Sequence, residues 1–496
     1  MKTNCMSVVG KYIFLAWIAA TSLSLLQAQK IEEPTKLLPD DGASEDFFGS
    51  AVAIDDDVAV VGAWLKGDLV GAAYVFRFDG NNWVQEQKLL GDDTSDGDFF
   101  GHAVDVYQDY IVVGASGAEN TGAAYVFHYN GTEWVQIARL TAAGALSFDR
   151  FGCSVSMDDE YIVIGADRAQ YSLGAVYIFK KEGNNWVQQQ KLLGPMYASA
   201  FGGAVDKKDD AILIGAPDNS FAFVFMLDGN SWEKVAELMD IDGSIHDKFG
   251  ETVSIEADIA VVGATHHQNA NGASGAVYVY KKQGSNWVEK QKIVADDGEF
   301  EDHFGCVSLY GSKLIVGACH DDDYGMNAGA VYIFERADDS FDLEDKIFAY
   351  DGFAGDEFGS SVAVSDEFFI VGSPNDNDNG SSSGSGYVFS YDFQSDVTFS
   401  NTSPHIVLEQ NHPNPFHSST IINISVPAAS NIRLDVFSTD GRLIRTLYDG
   451  PVEAGEHQFQ WDGDQQQEQQ VPPGFYFYRL QTPRDSHCRK MLKADL

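Results

Sequence analysis

Side chains able to hold a cation or act on a sugar are concentrated in three polar stretches. They are ATHHQNANGASG with His266 and His267, ACHDDDYGMNAG with His320, Asp321, Asp322, Asp323 and Tyr324, and SPNDNDNGSSSGSG with Asn375, Asp376 and Asp378. Imidazole and carboxylate together suit a divalent metal, so His266, His267 and His320 could join Asp321 to Asp323 as ligands if the segments converge. Exposed polar loop tips explain the same residues with less demand on geometry. Asn375, Asn377, Asn379 and Gly380 keep the one-three-five-six spacing of a calcium loop, which makes calcium the one cofactor to consider, but no acidic residue closes the loop. Gly380, Ser382 and Gly384 spell G-x-S-x-G inside a Ser/Gly run, without the strand-to-helix turn that a nucleophile elbow requires. No H-E-x-x-H, phosphate loop or dinucleotide fingerprint occurs. A polysaccharide-acting enzyme would need two converging carboxylates or a metal beside them, and no spacing identifies such a pair. The expectation is a binding protein, not an enzyme.

The elements that position these stretches follow from a repeat. Phe-Gly recurs seven times, at Phe48-Gly49, Phe100-Gly101, Phe151-Gly152, Phe201-Gly202, Phe249-Gly250, Phe304-Gly305 and Phe358-Gly359. Each copy continues with an apolar segment, a Gly-Ala-like step at Gly62, Gly114, Gly165, Gly215, Gly263, Gly317 or Gly372, and a Tyr-Val-Phe-like segment. A Trp-led segment ending like QKLL closes each of the first five copies, and Phe341 stands in for the Trp of the sixth. Four strands in about fifty residues is the size of a propeller blade. The seventh copy lacks its fourth strand, while PTKLLPDDG stands unpaired ahead of the first; Thr35 to Leu38 would therefore close the ring as the outer strand of blade seven.

Alternate connections of a four-stranded meander fall on opposite faces. The connections between strands one and two and between strands three and four are short hairpins such as IDDDV and MDDEY. The other set is longer and variable, and its polar tips in blades five to seven are the expected ligand-binding face. An Asp stands two positions before the Phe in six copies (Asp46, Asp98, Asp149, Asp247, Asp302, Asp356), with Ser199 in blade four, and is expected to hold a turn by accepting backbone N–H groups.

DFFGSAVAI, VVGAW and GAAYVF in blade one resemble FG-GAP repeats, the units of the integrin α propeller, and the resemblance runs from about Thr35 to Asp392. It implies that the Phe packs between blades and the Gly permits close approach. The D-x-D-x-D-G-x-x-D calcium loop that integrin-like propellers often carry in the first hairpin is missing from all seven, so their calcium sites do not carry over.

Lys2 and Lys11, an apolar run from Tyr12 to Leu26 and Ala28 have the layout of a secretory signal peptide over residues 1–28, and the run is too short to span a membrane. The propeller then occupies 29–393, a polar linker 394–406 and a second domain 407–496. In the last, TIINISVP, NIRLDVFST, GEHQFQWDG and GFYFYRLQ alternate apolar and polar residues, with turns expected at Asp440-Gly441 and Asp449-Gly450, so a small Ig-like β-sandwich is expected. NHPNPF, DGRLIRTL, GFYFYRL and RKMLK resemble a type IX secretion sorting domain, which implies export and partnership with that machinery. Acidic residues outnumber basic ones 74 to 32, which excludes nucleic acid as a partner. None of Cys153, Cys306, Cys319 and Cys488 has zinc-finger spacing; Cys306 and Cys319 flank one expected hairpin, where a cross-strand disulfide or two buried thiols would fit. Taken together, an all-β chain, a seven-bladed propeller followed by a sandwich, is expected to be a secreted or cell-surface recognition or adhesion protein for a protein or glycan. A polysaccharide-acting enzyme and a self-associating surface protein are the alternatives.

Overall fold

The computed structural model describes residues 34–390 and 407–494, apart from 241–242, 270–271, 409–410, 415, 427–429, 439–441, 453–454, 465–470 and 482–485. The expected signal peptide and linker lie outside the described residues.

Seven four-stranded antiparallel sheets form the larger domain. Their inner strands are Ala51–Asp55, Phe100–Tyr107, Val155–Met157, Ala204–Lys208, Phe249–Glu256, Phe304–Tyr310 and Ser361–Val364. Six sheets are consecutive in the chain; the seventh takes its outer strand from the other end, Thr35–Leu37, paired as Thr35 with Val388 and Leu37 with Gly386. The ring therefore closes by an exchanged strand, one residue shorter than the sequence suggests.

The repeat residues explain why these sheets pack as blades. Every Phe of the Phe-Gly pairs is fully buried, and each packs on two aromatic rings of the third strand of its own blade, as Phe100 does on Tyr125 and Phe127 at 5.4 and 6.2 Å. The same Phe joins a core with the preceding blade, where Val58, Val60 and Val75 belong to the cluster of Phe100. The Gly of each Gly-Ala step has no room for a side chain: a Cβ at Gly62 would overlap the Gly101 carbonyl oxygen, and one at Gly372 would overlap that of Gly49 across the closing seam. Glycine is required here for close backbone approach.

The innermost strand of each blade has one edge facing the axis, where its N–H groups would lack partners. A side chain from the preceding blade supplies the acceptor at five of the joints. Asp105 accepts from Met157 N–H at 2.7 Å, Ser156 from Lys207 at 3.1 Å, Asp206 from Ile255 at 2.7 Å, Ser254 from Leu309 at 3.1 Å and Ser308 from Val364 at 3.1 Å. Ala53 and Ala363 hold this register in blades one and seven. The belt surrounds an axial channel of about 470 Å³.

The smaller domain has a three-stranded sheet (Val407–Leu408, Thr420–Val426, Gly455–Trp461) and a four-stranded one (Leu443–Val452, Ser430–Ser438, Gly474–Gln481, Ser486–Lys493). They enclose a core that includes Phe416, Leu434, Trp461 and Tyr478. One sequence expectation fails: Asp449-Gly450 is no turn, because both residues pair within a strand, opposite Arg433 and Ile432. Gly450 is extended there.

Candidate functional site

Two sets of connections share one face of the propeller, those leading from the fourth strand into the next blade and those between strands two and three. The residue before every Phe-Gly lies on this face in the left-handed region: Phe47, Phe99, Arg150, Ala200, Lys248, His303 and Glu357, with φ between 54° and 61°. Such a backbone costs a side-chain-bearing residue roughly 1 kcal/mol or more. Its occurrence in all seven blades makes it part of the blade joint.

The joint is held by the Asp two positions before the Phe. Asp46, Asp98, Asp149, Asp302 and Asp356 each accept the N–H three residues earlier, at 2.6–2.9 Å. Blade four, with Ser199, substitutes a bond from the Ser199 N–H to Asn219. Asp247 differs, since its carboxylate meets His267 Nδ1 at 2.6 Å.

Around the mouth of the ring these left-handed residues meet the residues that follow the Gly-Ala steps, and three sectors result. Over blades one and two, Trp64 packs on Phe47, Phe99 and His102. Over blades three to five, charges alternate from Arg150 to Asp167 at 3.0 Å, Asp167 to Arg168 at 3.4 Å, and on through Asp218 to Lys248 at 3.0 Å. Over blades five to seven, three imidazoles form a row: His266 to His303 at 4.6 Å and His303 to His320 at 4.2 Å between ring centroids. Burial, and then the neighbouring imidazoles of His320 and His266, push His303 down to about 4. His320 goes the other way, raised by its hydrogen bond with Glu357, which outweighs burial.

Much of the polar set chosen from sequence is engaged in a node that repeats from blade to blade. A third-strand Tyr donates to an Asp of the incoming connection, as in Tyr74 to Asp41 at 2.6 Å, Tyr332 to Asp297 at 2.9 Å and Tyr387 to Asp351 at 2.8 Å. A fourth-strand cation lies over the ring, as Lys88, Lys346 and Lys36 do. This is the role of the Lys in the QKLL-like pattern. Lys346 also reaches Asp321 at 2.7 Å and Asp323 at 2.9 Å. Lys36 reaches Asp376 at 2.7 Å and Asp378 at 2.6 Å. These carboxylates are therefore engaged in ion pairs within the fold, three to each lysine. Asp322 accepts the Asn327 N–H, Tyr324 stacks on Phe348, and Asn375 is half-buried. Asn377 Oδ1 accepts the Ser382 N–H, and the Asn379 side chain packs against Gly42 of the connection into blade one.

His267 belongs to the same node. It is buried between Asp240 and Asp247, at 3.1 and 2.6 Å, as Lys66 sits between Asp41 and Asp46 in blade one. Burial disfavours its charge, but the hydrogen bonds with Asp240 and Asp247 prevail and raise it above the ordinary histidine range.

Of the two alternatives open for Cys306 and Cys319, a disulfide or two thiols, the structure has two free thiols, and Cys153 is free as well. Cys306 pairs opposite Gly317, not Cys319. Its Sγ points across the blade joint to the Ser360 carbonyl at 3.5 Å, the slot in which Ser154 and Ser361 donate to the next blade's Gly. Burial pushes both thiols up to about 12.

What sequence reasoning missed is apolar. Tyr171 is 93% exposed and Met196 88%, and Phe148, Ile245, Phe300, Met326 and Phe353 are each at least 60% exposed. All lie on the two sets of connections that make up the face of the imidazole row. Among the described residues, no large apolar side chain is exposed on the hairpins of the opposite face.

Comparison with known proteins adds the following. A family model described as FG-GAP repeat matches residues 32–76, 83–127, 134–179, 232–280, 287–334 and 341–389. The unmatched interval contains the first three strands of blade four, which departs from the pattern at Ser199 and Phe223. A model described as FlgD Ig-like domain matches residues 417–486. No curated protein matches the chain. Among solved structures it is similar to the WD40 domain from Toxoplasma gondii coronin, at 10% identity and a TM-score of 0.46, covering 73% of this chain and 87% of that one. No helix among the described residues is long and apolar enough to cross a membrane.

Proposed function

The chain belongs to the FG-GAP repeat family, and from that premise we propose that it is an extracellular recognition protein that binds a protein or glycan through one face of its propeller. The observation that carries this reading is that, among the connections of the propeller, the exposed large apolar side chains fall on one face. Tyr171, Phe148, Met196, Phe300, Met326 and Phe353 stand on connections around one mouth of a rigid ring, and large apolar side chains gathered on one face, rather than scattered singly, suit an interaction surface. Aromatic and Met side chains are also the types enriched where proteins meet ligands. Binding rather than catalysis is supported by the state of the carboxylates, which are paired with lysines of the same blades. The anchors are not confined to blades five to seven, since Phe148 and Tyr171 belong to blade three.

Export is part of the proposal. The signal-peptide layout of residues 1–28, the Ig-like tail and its ordered motifs NHPNPF, DGRLIRTL, GFYFYRL and RKMLK support delivery to the cell surface or medium through a type IX route.

The test is to present the purified chain to arrays of extracellular glycans and matrix proteins, beside a triple variant Tyr171→Ser, Met196→Ser, Phe353→Ser and a control variant Asn81→Lys on the opposite face. A saturable signal lost in the triple variant and kept in the control supports the reading. A signal indifferent to the triple variant, or no signal on either array, counts against it.

A further inference from the structure

We propose that His303, Cys319 and His320 form a binding site for a thiophilic divalent metal of the zinc type, with His266 beside it. One ligand atom from each of the three lies within 4.8 Å of the others. Zinc bound at about 2.0–2.1 Å by imidazole and about 2.3 Å by thiolate needs its ligand atoms roughly 3–4 Å apart, so small side-chain rotations close the site. Three protein ligands leave the fourth position to His266, whose ring stacks on His303 at 4.6 Å, or to an external group.

The site draws on parts that the repeat provides everywhere but fills with ligands only here. His303 occupies the left-handed position before Phe-Gly; Phe47, Phe99, Arg150, Ala200, Lys248 and Glu357 hold it elsewhere. Cys319 and His320 follow the Gly-Ala step of blade six, where Trp64 and Ser116 stand in blades one and two. The three side chains flank the open end of one hairpin, where the pairing of Phe304 with Ala318 brings them together. Imidazole and thiolate favour zinc, copper(I) or cobalt over calcium or magnesium, which separates this site from the calcium-loop spacing of Asn375, Asn377 and Asn379.

A second group, Asp240, Asp247 and His267, also clusters closely. It needs no metal, because its His takes the place that Lys66 fills between two Asp residues in blade one. Nothing in the other blades plays that part for His303, Cys319 and His320. The metal site does not depend on the recognition reading, although it lies on the same face.

Cobalt(II) is the probe. The full chain, stripped with chelator and kept reduced, is titrated with Co²⁺ and followed by absorption, and zinc is then added. The expected result is saturation at one equivalent, with the visible bands of a tetrahedral ion and a thiolate-to-cobalt charge-transfer band, all displaced by zinc. Cys319→Ser should abolish the charge-transfer band, and His303→Gln should weaken binding at least about tenfold. His267→Gln should leave both unchanged. Zinc should also raise the melting temperature of the parent chain and not that of Cys319→Ser, since a ligand of the folded state alone stabilises it. If either variant fails to fold, His320→Gln gives the same reading. Octahedral cobalt without a thiolate band, or binding that survives Cys319→Ser and His303→Gln, overturns the proposal.

Discussion

Lys36 joins the two ends of the propeller, and replacing it tests both the closure and the charge node. Its Nζ lies 2.8 Å from Asp351, 2.7 Å from Asp376 and 2.6 Å from Asp378. The three pairs are unequal. Asp351 and Asp378 are 32% and 44% exposed, so each contributes at most about 1 kcal/mol. Asp376 is only 5% exposed and Lys36 9%, and removing one member of a buried pair costs about 3–5 kcal/mol because the other charge stays desolvated. Lys36→Met keeps the aliphatic contact with the Tyr387 ring, so the loss isolates the charge. We expect destabilisation by about 3–5 kcal/mol at neutral pH in urea unfolding, with Lys36→Arg much closer to the parent. The pH dependence follows from Asp376, whose carboxyl burial would raise but Lys36 holds below the usual range. A depressed carboxylate stabilises above its unfolded pKa and loses that contribution as pH falls through the folded value. The difference between Lys36→Met and the parent should therefore shrink in acid. A loss below about 1 kcal/mol, or one that does not shrink as pH falls below about 4, would contradict this, as would additivity with Asp376→Asn.

Other predictions concern the channel and calcium. Burial, only partly offset by the Met157 N–H, raises Asp105 to about 8; such a group is satisfied when protonated, so stability is fully present below its unfolded value and falls as pH climbs from about 4 to about 8. Asp105→Asn should flatten that slope, and an unchanged slope would remove Asp105 as its source. Calcium, added or chelated, should leave the melting temperature of the parent chain unchanged, because Lys36, Lys66 and Lys346 already occupy the place a cation would take among the loop carboxylates; a clear upward shift would contradict that.

The repeat made the architecture legible. Seven Phe-Gly pairs at near-constant spacing give the blades, and an orphan KLL ahead of them gives the closing strand, because both signals are local. The use of each polar residue was not legible, since partners are far apart in sequence: Lys36 and Asp376 are 340 residues apart. Asp321 and Asp376 thus read as loop ligands when they are buried counter-ions. His303 was hidden by its place in a turn motif, and its meeting with Cys319 and His320 exists only across the hairpin. Phe148, Tyr171 and Phe353 gave no signal, because a large apolar residue next to a repeat reads as core. The Asp and Ser belt was within reach: Asp105, Ser156, Asp206 and Ser254 each fall five residues after the Phe, and Ser308 four. Aligning the copies would have shown it. Asp449-Gly450 failed for the opposite reason, since a strong turn signal was overridden by strand pairing.

Amide hydrogen exchange on the full chain, with and without a saturating glycan or protein taken from the arrays, tests the recognition face most directly. Protection is expected only on the connections that carry Phe148, Tyr171, Met196, Phe300, Met326 and Phe353. Protection on the opposite hairpins, or on the C-terminal domain alone, would contradict it.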